Sequence, residues 1–191
     1  MNKFEVVTKS GKKIYVFDDV YDYAQRTKIY KYVINSRYQV GGIDNGIIEN
    51  RGHVTMASAY NRDDYNNIGF DQFPKDITDT LALNMQYVMT NTMVNLCKPD
   101  DIFHIHNDSH EEGDYTLIYY ANLNWNVEWG GDTVFLNENQ DDIEYVSQYT
   151  PGRFVIFDGR IPHLIRPSTR LAPEYRFTIA SRYSDAFKKL I

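Results

Sequence analysis

From residue 102 onward the chain is a succession of short apolar runs separated by turn signals, and that rhythm confines it to a β-rich architecture. The runs cover residues 115–123, 132–136, 144–148, 154–158, 163–166 and 175–183. Gly130-Gly131, Asn137-Glu138-Asn139, Pro151-Gly152 and Asp158-Gly159 separate most of them. Strands this short at near-even spacing close into a sandwich or small barrel. Ahead of them, residues 4–8 and 13–17 flank Lys9-Ser10-Gly11-Lys12 and read as a hairpin. Asp18-Asp19 is placed to cap a helix over residues 20–36, with Tyr23, Ile29, Tyr30, Val33 and Ile34 as its apolar stripe. A second helix is expected over residues 76–97, on the spacing of Ile77, Leu81, Met85, Val88, Thr92 and Leu96, with Pro99 as its stop. Residues 58–75 show no clear period, and a loop of that length reads as functional. The expected class is α+β, with two helices preceding a β core.

Composition narrows the chemistry. A chain of 191 residues, 42% hydrophobic, is one domain by length and buries roughly 70% of its unfolded surface, enough for a core without staples. The single cysteine, Cys97, excludes a disulfide framework and a cysteine-based zinc site. A net charge of −6 disfavours a duplex-DNA binder, which needs a basic surface. No apolar run reaches the roughly 18 residues of a membrane span. The opening Met1-Asn2-Lys3-Phe4-Glu5 lacks a secretory apolar region, so the expectation is a soluble, cytoplasmic protein. Sixteen tyrosines suit strands and half-polar pocket walls.

Five histidines are available: His53, His104, His106, His110 and His163. His106-Asn107-Asp108 is a His-x-Asp, and on a strand residues two apart face the same side. An imidazole and a carboxylate would then converge from one rigid base, and His163, beyond the apolar run at 154–158, supplies a third ligand if the fold returns it. Two histidines and one carboxylate form the facial triad of non-haem Fe(II), which leaves open positions for a bidentate 2-oxo acid and O2. Arg176, at the head of the apolar run 177–180, offers a bidentate cation for the far carboxylate of such a co-substrate, with the Thr178 hydroxyl on the same face. A His-x-Asp alone is a weak motif. His110-Glu111-Glu112 is a competing arrangement in a more polar stretch, and Arg166 and Arg170 compete with Arg176, which follows His163 by thirteen positions.

These segments together resemble the 2-oxoglutarate- and Fe(II)-dependent dioxygenases, on the prolyl 4-hydroxylase-like branch. The resemblance runs through His106-Asn107-Asp108-Ser109, Thr116 to Asn122, Trp125, Gly130 to Phe135, Pro151 to Asp158, Pro162-His163 and Arg176-Phe177-Thr178-Ile179. It spans the C-terminal half; the N-terminal half is similar in layout only. It implies a double-stranded β-helix, a jelly-roll of cupin-like type, with supporting N-terminal helices. One domain over 1–191 would have a helical support region at 1–100 and the β-helix at 101–185. It implies Fe(II) held by His106, Asp108 and His163, with 2-oxoglutarate and O2 as co-substrates and ascorbate as a possible reductant. Arg176 would anchor 2-oxoglutarate, with Tyr120 as partner hydroxyl and Thr178 as a lesser one.

For the substrate, Trp125, Trp129, Arg160 and Arg166 are placed near the expected mouth, with residues 58–75 as a candidate lid. Core packing is an equal reading for the tryptophans. The expected function is hydroxylation of a C–H bond in a peptidyl proline, an amino acid or another small metabolite. A nucleic-acid demethylase of the same superfamily is an alternative, because Arg176 and Arg182 are six apart as in alkylation-repair dioxygenases. Thr178 and Ala180 match that motif only in part, and the acidic charge opposes it. A non-catalytic metal-binding β-helix module is the third class.

Overall fold

The computed structural model describes residues 1–42, 55–80, 87–99 and 101–185. Two sheets face each other. One is eight-stranded, in the order β1-β2-β9-β6-β11-β5-β4-β3 with β3 (Gln39–Gly42) at its edge, and the other is three-stranded, β10-β7-β8. The first hairpin joins β1 (Asn2–Val7) to β2 (Lys13–Asp18), and β2 continues the sheet through β9 (Phe154–Asp158). β6 (Tyr115–Tyr120) lies between β9 and β11 (Arg176–Asp185). β7 (Thr133–Leu136) carries β8 (Ile143–Ser147) on one side and β10 (His163–Ile165) on the other. The α+β class follows the rhythm of short strands and the jelly-roll architecture follows the resemblance; the six runs beyond residue 102 all form strands. No described helix is long and apolar enough to cross a membrane.

Apolar side chains divide between two layers. Ile14, Val16, Ile118, Tyr120, Phe135, Tyr149, Val155, Phe157 and Ile161 pack between the sheets. The other face of the large sheet packs Phe17, Leu117, Tyr119, Phe154 and Ile156 against the helices, with Ile29 and Val33 from α1 (Tyr23–Ile34). Strand alternation explains the division: Phe154 and Ile156 point one way, Val155 and Phe157 the other. The N-cap of α1 is Asp22, whose side chain accepts from the Gln25 N–H, not Asp18-Asp19. Asp18 ends β2 and accepts from Arg153 Nε and Nη2, at 2.7 and 2.8 Å. The buried stripe of α1 is also narrower than expected, since Tyr23 and Ile34 are exposed.

Two expectations are corrected. Residues 76–97 are not one helix: α3 (Lys75–Thr80) ends early, and Tyr87–Cys97 is strand β5, paired with β11 and with β4 (Thr55–Ala59). Leu81 and Met85 lie outside the described residues. Thr92 and Leu96, four apart, satisfy either period. Buried Val94 between them, with Met93 and Asn95 less buried, shows the two-residue alternation that a helix reading overlooks. Residues 1–100 thus supply five strands as well as helices among the described residues. Residues 58–75 are likewise not a loop. They hold the end of β4 and α2 (Arg62–Asn67), whose N-terminus is a capping box between Asn61 and Asp64. Tyr65, Ile68 and Phe70 are buried, with Phe70 5.6 Å from Phe154 and 5.8 Å from Tyr119. This stretch builds the helix-side core, so its aromatics serve packing rather than a lid.

Phe154 is the hub of that core, touching Tyr21, Phe70, Phe73 and Tyr119 ring to ring. Phe154→Ala should cost about 3–5 kcal/mol in urea unfolding. A loss under about 1 kcal/mol would contradict this packing.

Candidate active site

His106 and Asp108 do not lie on a regular strand, as the sequence reading assumed. They sit in an irregular segment that a single bridge ties to β10. His106 N–H donates to the His163 carbonyl at 3.0 Å, and His163 N–H donates back at 2.9 Å. Two residues on, the N–H groups of Asp108 and Ser109 both donate to the Gly159 carbonyl, at 2.9 and 3.0 Å. The segment is therefore laid alongside the turn and strand that carry His163. The ligand-type atoms of His106, Asp108 and His163 all lie within 4.8 Å of one another. His163 Nε2 is 3.6 Å from Asp108 Oδ2, and His106 Nε2 is 3.9 Å from Asp108 Oδ1.

The tautomers follow from the partners. His106 Nδ1 is 3.0 Å from the His104 carbonyl and His163 Nδ1 is 3.0 Å from the Ile161 carbonyl. A carbonyl only accepts, so each Nδ1 carries a proton, and each Nε2 is the ring nitrogen that faces the carboxylate. Phe157 packs on the His163 ring at 4.7 Å. Asp108 is nearly buried, and burial opposes its ionisation. The neighbouring His163, the Arg182 guanidinium, the Thr116 hydroxyl and His106 outweigh that, holding its carboxyl below the ordinary range. Thr116 Oγ1 donates to Oδ2 at 2.7 Å, and Arg182 donates to Oδ1. The competing His110, Glu111 and Glu112 are exposed and not part of a metal-capable group among the described residues; His53 lies outside them.

A cavity of about 110 Å³ opens beside the three side chains. Its wall is a register ladder across β5, β11 and β6. Asn95 pairs with Thr178, Met93 with Ala180, and Asn91 with Arg182; on the other side Ala180 pairs with Ile118 and Arg182 with Thr116. Arg176 closes one end. It is fully buried; its Nε donates to the Gly131 carbonyl at 2.7 Å, and its guanidinium stacks over Tyr149 at 4.9 Å. One arm is 3.4 Å from Thr178 Oγ1 and 3.7 Å from Cys97 Sγ; the other, Nη2, has no hydrogen-bond partner among the described residues. A buried guanidinium without a carboxylate partner among the described residues is costly to keep, so the pocket fits an anion delivered from the cavity. Arg166 and Arg170 are exposed.

Other expected residues are placed elsewhere. Tyr120 is buried behind Arg176, 5.7 Å from its guanidinium, with the hydroxyl 2.9 Å from Thr133 Oγ1 and 3.3 Å from the Ser147 carbonyl; it does not line the cavity. Trp125 packs on Tyr149 and Trp129, and its Nε1 donates to the Gly130 carbonyl, so its role is packing. Arg160 is paired with Asp158 at 2.7 Å, and neither Arg160, Arg166 nor Trp129 lines the cavity. Asn91, Met93, Asn95 and Ile165 do. Sequence reading missed the three on β5 because that strand was assigned to a helix.

Comparison with known proteins agrees with this geometry. Residues 92–183 match the model of the 2OG-Fe(II) oxygenase superfamily. The resemblance drawn from the sequence is borne out at that level. A prolyl hydroxylase from Trichoplax adhaerens, solved with a hypoxia inducible factor oxygen degradation domain peptide, is similar at TM-score 0.66 and 17% identity, over 93% of this chain and 86% of that one. A Pseudomonas putida prolyl-4-hydroxylase matches at TM-score 0.64 and 15% identity, over 89% and 91%. HygX from Streptomyces hygroscopicus, solved with nickel and 2-oxoglutarate bound, matches at TM-score 0.68 and 8% identity, over 91% and 83%. At these identities the likeness is one of fold. A search of curated proteins finds no match.

Gly131 is a sharp test of the Arg176 pocket. It has φ of +82°, and an added Cβ would lie 3.0 Å from Arg176 Cδ. Gly131→Ala should cost about 1–2 kcal/mol for the left-handed backbone, a Tm drop of roughly 2–8 °C. An unchanged Tm would contradict the left-handed backbone at the turn that abuts Arg176.

Proposed function

We propose that the protein is a 2-oxoglutarate- and Fe(II)-dependent dioxygenase, prolyl hydroxylase-like, that hydroxylates a C–H bond of a peptide or small-molecule substrate. The observation that carries the reading is Arg176. Its unpartnered, buried Nη2 belongs to the same cavity wall as His106, Asp108 and His163. Two imidazole nitrogens and one carboxylate on one side of a cavity are the donor set of the non-haem iron triad, and a buried guanidinium fits the far carboxylate of a 2-oxo diacid. Iron and 2-oxoglutarate, when bound, would supply with O2 an oxidative decarboxylation coupled to hydroxylation, one oxygen atom entering succinate and the other the substrate, with CO2 released.

The chain's own part is positioning. His106 and His163 would hold the metal through Nε2, their Nδ1 protons fixed on the His104 and Ile161 carbonyls. Asp108 would hold it through a carboxylate oxygen. Arg176 would take the co-substrate carboxylate, with Thr178 beside it. The apolar rung of Met93, Ala180 and Ile118 separates the two ends and limits water there. One domain over residues 1–191 is part of this reading. The demethylase alternative is opposed by the net charge of −6 and by Thr178 and Ala180 at the intervening motif positions.

The test is 2-oxoglutarate-dependent succinate formation with added Fe(II). His106→Ala, Asp108→Ala and His163→Ala should each abolish it. Arg176→Gln should raise the 2-oxoglutarate requirement by at least about thirtyfold, the equivalent of about 2 kcal/mol for a buried charge pair. Full turnover in the three alanine variants would contradict the metal assignment, and unchanged 2-oxoglutarate dependence in Arg176→Gln would contradict the anchor.

A further inference from the structure

We infer that Arg182 is the positioning residue for Asp108, and that it sets how tightly the site holds its divalent metal. The inference rests on the metal-site reading above and goes beyond it. The β11 register places Arg182 directly across from Thr116 on β6, and paired residues of antiparallel strands share a face. Both reach the same carboxylate. Thr116 Oγ1 holds Oδ2, and the Arg182 guanidinium holds Oδ1. The Asp108 side chain is 6% exposed and that of Arg182 47%, so the arginine bridges from solvent to a buried anion.

Several features separate this contact from a surface ion pair. The carboxylate is desolvated, so its partner matters far more than at an exposed site. Each oxygen has one fixed donor, which removes rotation about the terminal bond and leaves one further lone pair per oxygen for coordination. The other groups facing Asp108 are the two imidazoles, whose Nδ1 groups are fixed on the His104 and Ile161 carbonyls, and Arg182 adds a guanidinium whose charge does not depend on pH. Arg182 is not within the triad. Its effect on the metal therefore runs through the orientation of Asp108, as partners of metal ligands commonly act.

The test is Co(II) binding to metal-free full-length protein without co-substrate, read by calorimetry and by the visible Co(II) spectrum. Arg182→Gln should weaken Co(II) binding by about 10–100-fold and change the Co(II) band, as expected for loss of a partner of a metal ligand. Thr116→Val should weaken it in the same direction. Arg182→Lys keeps the charge and the stem but not the planar fork, and should also bind less tightly than the unaltered protein. It carries the test if circular dichroism shows Arg182→Gln unfolded. In an Asp108→Ala background Arg182→Gln should change nothing further. Unaltered Co(II) affinity and spectrum in a folded Arg182 variant would overturn the inference, even where that variant raises the KM of a substrate. Failure of the unaltered protein to bind Co(II) would overturn the metal-site reading itself, a distinct outcome.

Discussion

The reciprocal backbone hydrogen bonds between His106 and His163 are the constraint on which the site depends. The segment before β6 has no other ladder, and an unpaired buried backbone would be unfavourable there. The bridge and the Gly159 carbonyl align the segment with the β9–β10 turn. In doing so they set two residues 57 positions apart in sequence with their ring centroids 4.4 Å apart. Asp108 then enters the same space without strand geometry. The site's donors are thus assembled by main-chain pairing, and their side chains are trimmed by carbonyls, an aromatic ring, a threonine and an arginine.

The rest of the fold supplies the second half of the cavity. β11 runs from Arg176 at the closed end to Arg182 beside Asp108, a six-residue span of about 20 Å at strand rise. Flanked by β5 and β6, it presents a cation, an apolar rung and a second cation along one face. The two arginines differ in what the fold has done with them. Arg182 has its carboxylate. Arg176 is fully buried with an arm left open, a costly state that a dianionic co-substrate would relieve.

The strands beyond residue 102 were legible because each alternates or is wholly apolar and most end in a turn with Gly, Pro or Asn. The grouping of His106, Asp108 and His163 was legible in the order His-x-Asp, buried strand, His. β5 was not, because Thr92 and Leu96 fit a helical spacing and only the burial of Val94 separates the periods. The cavity wall was hidden with it. The aromatic stretch at 58–75 reads as a loop in the sequence because Tyr65, Ile68 and Phe70 are buried from one short helix and the turn after it, too short a run to show a period. Trp125 illustrates the limit of motif order: its place beside the Gly-Gly turn is right, yet its indole N–H is spent on Gly130.

The most direct measurement is an anaerobic titration of the metal-free protein with Fe(II) and 2-oxoglutarate, followed for the visible metal-to-ligand charge-transfer band. The account predicts a band that requires both components, is lost in Asp108→Ala and needs far more 2-oxoglutarate in Arg176→Gln. A protein that binds Fe(II) but gives no band with 2-oxoglutarate, or a band indifferent to both substitutions, would contradict it.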